Sequence, residues 1–324
     1  MLTVTLFTKD NCQRCLAVEE DLTELQEEIP HRLVKINIDR ENISAYQAEV
    51  PVVEVGPYQL KAPFDRQTLR ITLAAARDRS NQLETIDQPE HRERVQRGQN
   101  MRFIDRFFYW LSNRYMLLFN AAVLVYVGLA FLAPVLQSSG ATRSARVIYA
   151  VYSRLCHQLA FRSWFIYGEQ PAYPREAAQV GGLKTYQEAT GFDPLDLETA
   201  HQFLGNDQLG YKVALCQRDV AIYGAIFGFG LLFSLTGKRI KSLPITAWVV
   251  LGMVPIGLDG VSQIVSQLPW DIISFRESTP LLRTITGALF GFTTAWFGFP
   301  LVEESMEDTR KVMAVKHAVN KGGD

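Results

Sequence analysis

The sequence predicts an α/β head followed by an α-helical, multi-pass membrane domain of about four spans. Three observations predict it. The 324 residues carry a formal charge of -1, but charged residues crowd the stretch up to about Arg114, and long uncharged runs of Leu, Val, Ile, Phe and Gly follow. Within the first quarter of the chain, short apolar strands alternate with helical spacing. Four cysteines split into two sets, Cys12 with Cys15 and Cys156 with Cys216. The length suggests about two domains. A net charge near zero gives no support for nucleic-acid binding, which needs a basic face, so no nucleic-acid partner is expected. Met1-Leu2-Thr3-Val4 lacks a basic n-region followed by an apolar core, so no cleavable signal peptide is read and the head is expected to begin in the cytoplasm.

The head is assigned to residues 1–80. Leu2 to Thr8 reads as a strand, with Val4, Leu6 and Phe7 apolar. After a Lys9-Asp10-Asn11 turn, Leu16, Val18, Leu22 and Leu25 predict a helix from about Cys12 to Glu28. Arg32 to Asp39 is a second strand, and a short helix is expected near Ile43 to Ala48. Pro51 to Val55 and Gln59 to Ala62 are further strands, and Asp65 to Arg77 a last helix. This order suits a small sheet covered by helices.

Cys12-Gln13-Arg14-Cys15 is a C-x-x-C box just after a strand. In a reducing compartment such a box is catalytic or metal-binding more often than a structural disulfide. Zinc would need two further ligands, and the head offers only His31 as a typical one, so the redox reading is preferred. Thr8-Lys9 before the box, the box itself and Val50-Pro51 opening the third strand resemble the glutaredoxin-like branch of the thioredoxin fold. The resemblance implies a cis peptide at Val50-Pro51 beside the cysteines. It also implies that Cys12 sits at a helix N-terminus, where the macrodipole and free N–H groups favour a thiolate. Cys12 is then the attacking nucleophile and Cys15 the resolving thiol, with Lys9 and Arg14 adding positive potential. Where many glutaredoxins carry a Gly-Asp pair to hold glutathione, this chain has Pro63-Phe64-Asp65.

Residues 81–114 form a polar linker and an amphipathic segment. Arg92, Arg94 and Arg97 lie near the end of the polar part. From Met101 to Arg114, Phe103, Ile104, Phe107, Phe108, Trp110 and Leu111 can share one helical face, which suits a helix lying in the membrane interface. The membrane domain is assigned to residues 115–302, with an outer segment at 138–218, and residues 303–324 to a cytoplasmic tail.

Tyr115 to Leu136 is uncharged and long enough to cross a bilayer. Val220 to Gly237 is a second run, Leu243 to about Val265 a third interrupted by Asp259, and Leu281 to Val302 a fourth with Arg283 at its start. Arg102, Arg106 and Arg114 precede the first span; Lys238, Arg239 and Lys241 fill the loop between the second and third; Arg310, Lys311 and Lys316 follow the fourth. Four spans place all three groups on one side, so both termini are expected in the cytoplasm, in a multi-pass protein of the cell membrane. Ala145 to Tyr167 contains Arg146, Arg154, His157 and Arg162 and is expected to be an amphipathic or partly inserted helix on the outer side. Gly224 and Gly228 offer a small-xxx-small face for helix packing. Trp248, Trp270 and Trp296 are candidate interface anchors or lipid-facing bulk.

This topology gathers the unusual polar residues at one face. Cys156, His157 and Arg162 lie in the outer segment, and Cys216, Arg218 and Asp219 at the mouth of the second span. Asp259 stands about sixteen residues into the third span, roughly 24 Å along it at 1.5 Å per residue, with Gln263 one turn further. Arg276, Glu277 and Arg283 come from the connection to the fourth. Intramembrane ionisable groups are functional or structural pairs, and Asp259 with Arg283 is the expected one. Cys156-His157-Gln158, Arg162-Ser163, Cys216-Gln217-Arg218, Ile222-Tyr223-Gly224, Asp259-Gly260 with Gln263, and Arg276-Glu277-Ser278-Thr279 resemble an uncharacterised family of bacterial and archaeal membrane proteins.

For Cys156 and Cys216 three readings stay open. A disulfide or redox pair ranks first, inert buried thiols second, and a metal site with His157 and Asp219 third. No metal ligand set is therefore assigned and no cofactor is expected. The stretch from Gly168 to Leu215 is expected to cap this cluster; it includes an expected helix from Asp196 to Phe203, whose His201 reads as a surface residue. The two cysteine pairs are expected to face different compartments.

Three function classes follow. The first is a membrane-tethered thiol–disulfide oxidoreductase acting on a disulfide protein or a small thiol. The second is a small-molecule transporter or binding protein with the head as redox sensor. The third is a structural subunit of a membrane complex. The lipid bilayer is a partner in each.

Overall fold

A computed structural model describes residues 2–41, 43–44, 46–85, 102–268 and 274–321. The chain divides into two compact units: Met1–Tyr115 with Glu303–Asp324, and Met116–Val302. Most of the polar linker that begins at residue 81 lies outside the described residues, as does Trp270.

The first unit is built on a four-stranded sheet. Its strands are β1 (Leu2–Thr8), β2 (His31–Asn37), β3 (Val52–Val55) and β4 (Tyr58–Lys61), in the order β2-β1-β3-β4. β1 pairs parallel with β2 and antiparallel with β3. Side chains of a strand alternate between faces, so each strand feeds two cores. On one face Val4, Leu6, Val53 and Val55 meet Val18, Leu22 and Leu25 of α1 (Gln13–Glu28) and Leu69, Leu73 and Ala76 of α2 (Arg66–Thr85). Burying a leucine of this kind contributes roughly 1.5–3 kcal/mol. Helix α1 starts on Cys12 and stops at Ile29, which takes an extended conformation ahead of Pro30, as the residue before a proline must.

The other face of the sheet carries Phe7, Val34, Ile36 and Val52. The short helix expected near Ile43 to Ala48 does not form; the described residues there are turns and irregular backbone, with Ile43 and Tyr46 buried on this face. Cover comes from the other end of the chain. Ala314, Val315, Ala318 and Val319 pack against this core, and they lie on α9 (Pro280–Lys321). Residues 303–321 are thus a docked helix that supplies the missing layer. Polar ties reinforce it: Ser44 donates to Glu307 at 2.8 Å, the fully buried Arg310 donates to the Ser112 carbonyl at 2.8 Å, and Lys316 pairs with Asp105 at 2.6 Å.

Asp105 and Ser112 lie on α3 (Phe103–Ser138), a single continuous helix. The separate interfacial helix expected up to Arg114 is its first three turns. Nothing breaks the helix there, because Asn113, Arg114 and Tyr115 carry no glycine or proline signal. Phe103, Ile104, Phe107, Phe108 and Trp110 remain exposed along that stretch.

Among the described residues, four helices are long and apolar enough to cross a membrane: α3, α7 (Gln217–Leu235), α8 (Ile245–Val265) and α9. Helix α8 widens into a π turn at Val249–Met253, just before Pro255, whose missing N–H cannot continue the regular ladder. The segment expected to form one helix from Ala145 to Tyr167 is composite. Helix α4 (Thr142–Tyr152) ends before Cys156, a 3₁₀ turn spans Ala160–Arg162, and β5 (Ser163–Ile166) follows. Strand β5 joins β7 (Gly210–Cys216) and β6 (Gly205–Asn206) in a small antiparallel sheet, ordered β5-β7-β6. Short helices α5 (Tyr186–Thr190) and α6 (Leu197–Gln202) complete this part, and Asp196 caps the latter. The apolar pattern of Ala145 to Tyr167 was strand and turn as much as helix, and short apolar runs do not separate the two.

Close helix contact uses other glycines than Gly224 and Gly228, which have no atom within 4 Å of a would-be Cβ. Gly287 and Gly291 of α9 instead face the backbone carbonyls of Arg218 and Ile222 on α7. The small residues that matter lie on the partner helix, at the same i, i+4 spacing. We expect Gly291→Ala to push α7 and α9 apart and to cost about 1–3 kcal/mol by overpacking. Gly224→Ala should be near neutral, and thermal melting of the detergent-purified protein compares the two.

Candidate functional site

Two sites emerge, one in each unit. In the head, Cys12 is the N-cap of α1, and its sulfur accepts a hydrogen bond from the Cys15 amide at 3.2 Å. Cys12 and Cys15 form a disulfide. Cys15 is buried, whereas Cys12 stays half-exposed, so Cys12 is the more accessible sulfur of the pair. The Val50–Pro51 bond is cis, and Val50 shares the core that holds Cys15. Lys9 and Arg14 are exposed beside the pair. Phe64-Asp65 begins α2, with the Asp65 carboxylate capping the Thr68 amide at 2.8 Å.

In the second unit the predicted polar residues do converge, with different partners from those expected. Asp259 of α8 does not pair with Arg283. It accepts from Arg218, from Arg276 at 3.2 Å and from the Ser278 hydroxyl at 2.9 Å. Arg283 instead pairs with Glu277 and reaches Gln217 at 3.5 Å. Glu277, with its side chain 1% exposed, also takes Arg162 at 2.8 Å and Arg175 at 3.5 Å. Each carboxylate thus collects more than one guanidinium, as a buried charge requires. Burial would raise the Glu277 pKa, but the hydrogen bond and charge of Arg162, with Arg283 and Arg175, hold it below the usual carboxylate range. Gln263 ties the two halves: it donates to the Asp259 carbonyl at 3.0 Å and accepts from the Ser278 amide at 3.3 Å.

Cys156 and Cys216 are free thiols, side by side. Their sulfurs and a carboxylate oxygen of Asp219 all lie within 4.8 Å of one another. The interaction between the two sulfurs pushes the Cys156 thiol up and holds Cys216 down; burial adds to the rise of Cys156. Cys216 is the N-cap of α7, accepting from the Asp219 amide at 3.5 Å, so this second cysteine pair, like the first, starts at a helix N-terminus. A cavity of about 590 Å³ opens beside them, lined by Cys156, His157, Cys216 and Asp219 together with Arg162, Arg175, Arg218 and Arg283.

The turn that carries Cys156 is held by Lys212 and Tyr149, which sequence reasoning passed over, together with Gln158 and His201. Lys212 of β7 is fully buried and donates to the Gln158 carbonyl at 2.8 Å and the His201 carbonyl at 2.5 Å. Tyr149 donates to the Lys212 carbonyl at 2.5 Å. His201, read as a surface residue, places its Nδ1 at 2.7 Å from the His157 carbonyl. Gln158, at φ 47°, donates to the Tyr149 carbonyl at 3.1 Å. Lys212 lies four residues before the Cys216-Gln217-Arg218 motif and could have been found by proximity. Arg175 carried no periodic signal.

Burial pushes Lys212 down to about 7. Below its ordinary pKa the unfolded chain then binds the proton more readily than the native one, so this residue makes stability rise with pH from about 7 to 10.5. We expect Lys212→Met to abolish that rise and to cost about 1–3 kcal/mol at neutral pH by leaving buried carbonyls unpaired. Melting temperature against pH, for wild type and variant in the same detergent, measures both.

Comparison with known proteins agrees with this division. Residues 3–74 match the family described as glutaredoxin-like domain (DUF836), and residues 208–297 match the one described as predicted membrane protein (DUF2085). An uncharacterized protein of Methanocaldococcus jannaschii is 25% identical over 198 residues, covering 59% of this chain and 94% of the relative. No solved structure matches the chain. The protein therefore joins a glutaredoxin-like head to a membrane domain with four apolar helices.

Proposed function

We propose that the protein is a membrane-anchored thiol–disulfide oxidoreductase whose head works in the cytoplasm. The observation that carries this is the Cys12–Cys15 disulfide at the start of α1, with Cys12 half-exposed and Cys15 buried behind it. In the reducing direction the Cys12 thiolate attacks a substrate disulfide, and one substrate sulfur leaves as a thiolate. Cys15 then attacks the Cys12 sulfur of the mixed disulfide. The second substrate thiolate leaves, and two electrons have passed from the box to the substrate. A dithiol donor returns the pair to the reduced form. The helix N-terminus stabilises the Cys12 thiolate in both half-reactions.

The substrate class is a disulfide-bearing protein or a small disulfide. The cell membrane and cytoplasmic termini are supported by the basic flanks of the four apolar helices. The test is disulfide turnover by the full chain in nanodiscs, with a dithiol donor present. Turnover above the donor-only rate is expected; no turnover with any dithiol donor would sink the proposal.

A further inference from the structure

We propose that Cys156, Cys216 and Asp219 form a three-ligand site for a thiophilic divalent cation of the zinc class, with a fourth coordination position open to the arginine-lined cavity. The ligand atoms come from two places in the fold. Cys156 stands on the turn after α4, and Cys216 and Asp219 occupy the first turn of α7, at the i, i+3 spacing that puts both on one side of a helix. All three atoms lie within 4.8 Å of one another. Zinc–sulfur bonds near 2.3 Å and zinc–oxygen bonds near 2.0–2.2 Å put tetrahedral ligands within about 4 Å of each other, so small side-chain adjustments close the site.

The surroundings favour this over two inert thiols. The turn bearing Cys156 is fixed by buried hydrogen bonds of Lys212 and Gln158 and by His201 at its surface, and the Cys216 sulfur accepts from the Asp219 amide of α7. Two thiolates and a carboxylate bring negative charge that a dication offsets. Sulfur ligands select zinc over magnesium or calcium, which prefer all-oxygen sites. Two ligand sulfurs with one carboxylate leave a tetrahedral ion one position short, the arrangement that catalytic rather than structural zinc sites keep.

The open position faces a cavity of about 590 Å³. Five guanidinium groups share two carboxylates, Arg162, Arg175 and Arg283 on Glu277 and Arg218 and Arg276 on Asp259, so positive charge is in excess outside the ligand set. Arg175, with its side chain 7% exposed, lines the cavity, and its Nε has no hydrogen-bond partner among the described residues. The Nε of Arg218 is likewise unpaired. These donors fit an anionic oxygen ligand, a phosphate or carboxylate group, whose other oxygen reaches the cation. This inference is independent of the chemistry of the head.

The experiment uses the full chain in detergent, in a Cys12→Ser/Cys15→Ser background so that the head binds no metal. About one zinc per chain is expected by mass spectrometry of the metal, falling at least tenfold in Cys216→Ser. Because Cys216 also caps α7, Asp219→Asn serves as the second variant and is expected to lower zinc occupancy while the protein still elutes as a folded species. Cobalt(II) replacement should give a thiolate-to-metal charge-transfer band, absent in Cys156→Ser. Inorganic phosphate should shift the cobalt ligand-field bands. Zinc-free protein that takes up no cobalt, or a Cys156–Cys216 disulfide recovered in non-reducing peptide maps, would overturn the proposal. A cobalt spectrum indifferent to phosphate would overturn the open anion-binding position.

Discussion

Cys12→Ser should bring disulfide turnover by the full-length protein down to the rate of the dithiol donor alone. Serine keeps the α1 cap, because its oxygen can accept the Cys15 amide as the sulfur does, so folding should survive. What it removes is the nucleophile: a hydroxyl does not ionise near neutral pH, and exchange proceeds through the thiolate. Cys15→Ser should behave differently. The exposed Cys12 still attacks, but nothing resolves the adduct, so a mixed disulfide with the substrate accumulates and is visible on non-reducing gels. Equal inactivity of both variants with no trapped adduct would mean the box is not the exchanging pair. The assay needs the whole chain, since one face of the head's sheet is covered by Ala314, Val315, Ala318 and Val319 from the last helix. A head cut off after α2 would expose that apolar face to water.

Glu277→Ala should be the most damaging single change in the second unit, lowering stability by about 3–5 kcal/mol, the range for removing one partner of a buried ion pair. The carboxylate is nearly inaccessible and holds Arg162, Arg175 and Arg283 together; without it, three cations are left facing one another. Glu277→Gln keeps the shape and some hydrogen bonding, and should recover part of the loss. The same group sets an acid limit. Its native pKa lies below the ordinary value of about 4.5, so its contribution is complete above that pH and is lost as pH falls through the native pKa. Chemical denaturation of the two variants and of wild type, at neutral and mildly acidic pH, would show it. Wild-type stability in Glu277→Ala would mean the arginines are satisfied elsewhere.

Much of this fold could be read from the chain, and the limits have physical causes. Strand and helix order in the head followed from periodicity, and the four apolar helices followed from uncharged length. Cys12, Cys15 and Pro51 were placed by a compact local motif. The membrane cluster was found as a set of residues but not as a set of pairs. Asp259 chose Arg218 and Arg276 over Arg283 because pairing depends on helix rotation and on Glu277, whose position in a connection without periodicity gives no direction. The Ile43–Ala48 helix failed for a related reason. Its apolar residues were needed on the sheet, and a segment some 270 residues away took the covering role, a long-range substitution that no local window contains.

That substitution has a topological consequence. A domain assembled from the first and last stretches of a chain ties its two ends to the same place, so any bilayer threaded between them must be crossed an even number of times. An odd crossing would tear the sheet from its cover. The folding of this domain therefore asks for the same parity as the charges beside the apolar helices, and a variant with one apolar helix deleted should lose the cover that residues 303–321 give the head's sheet.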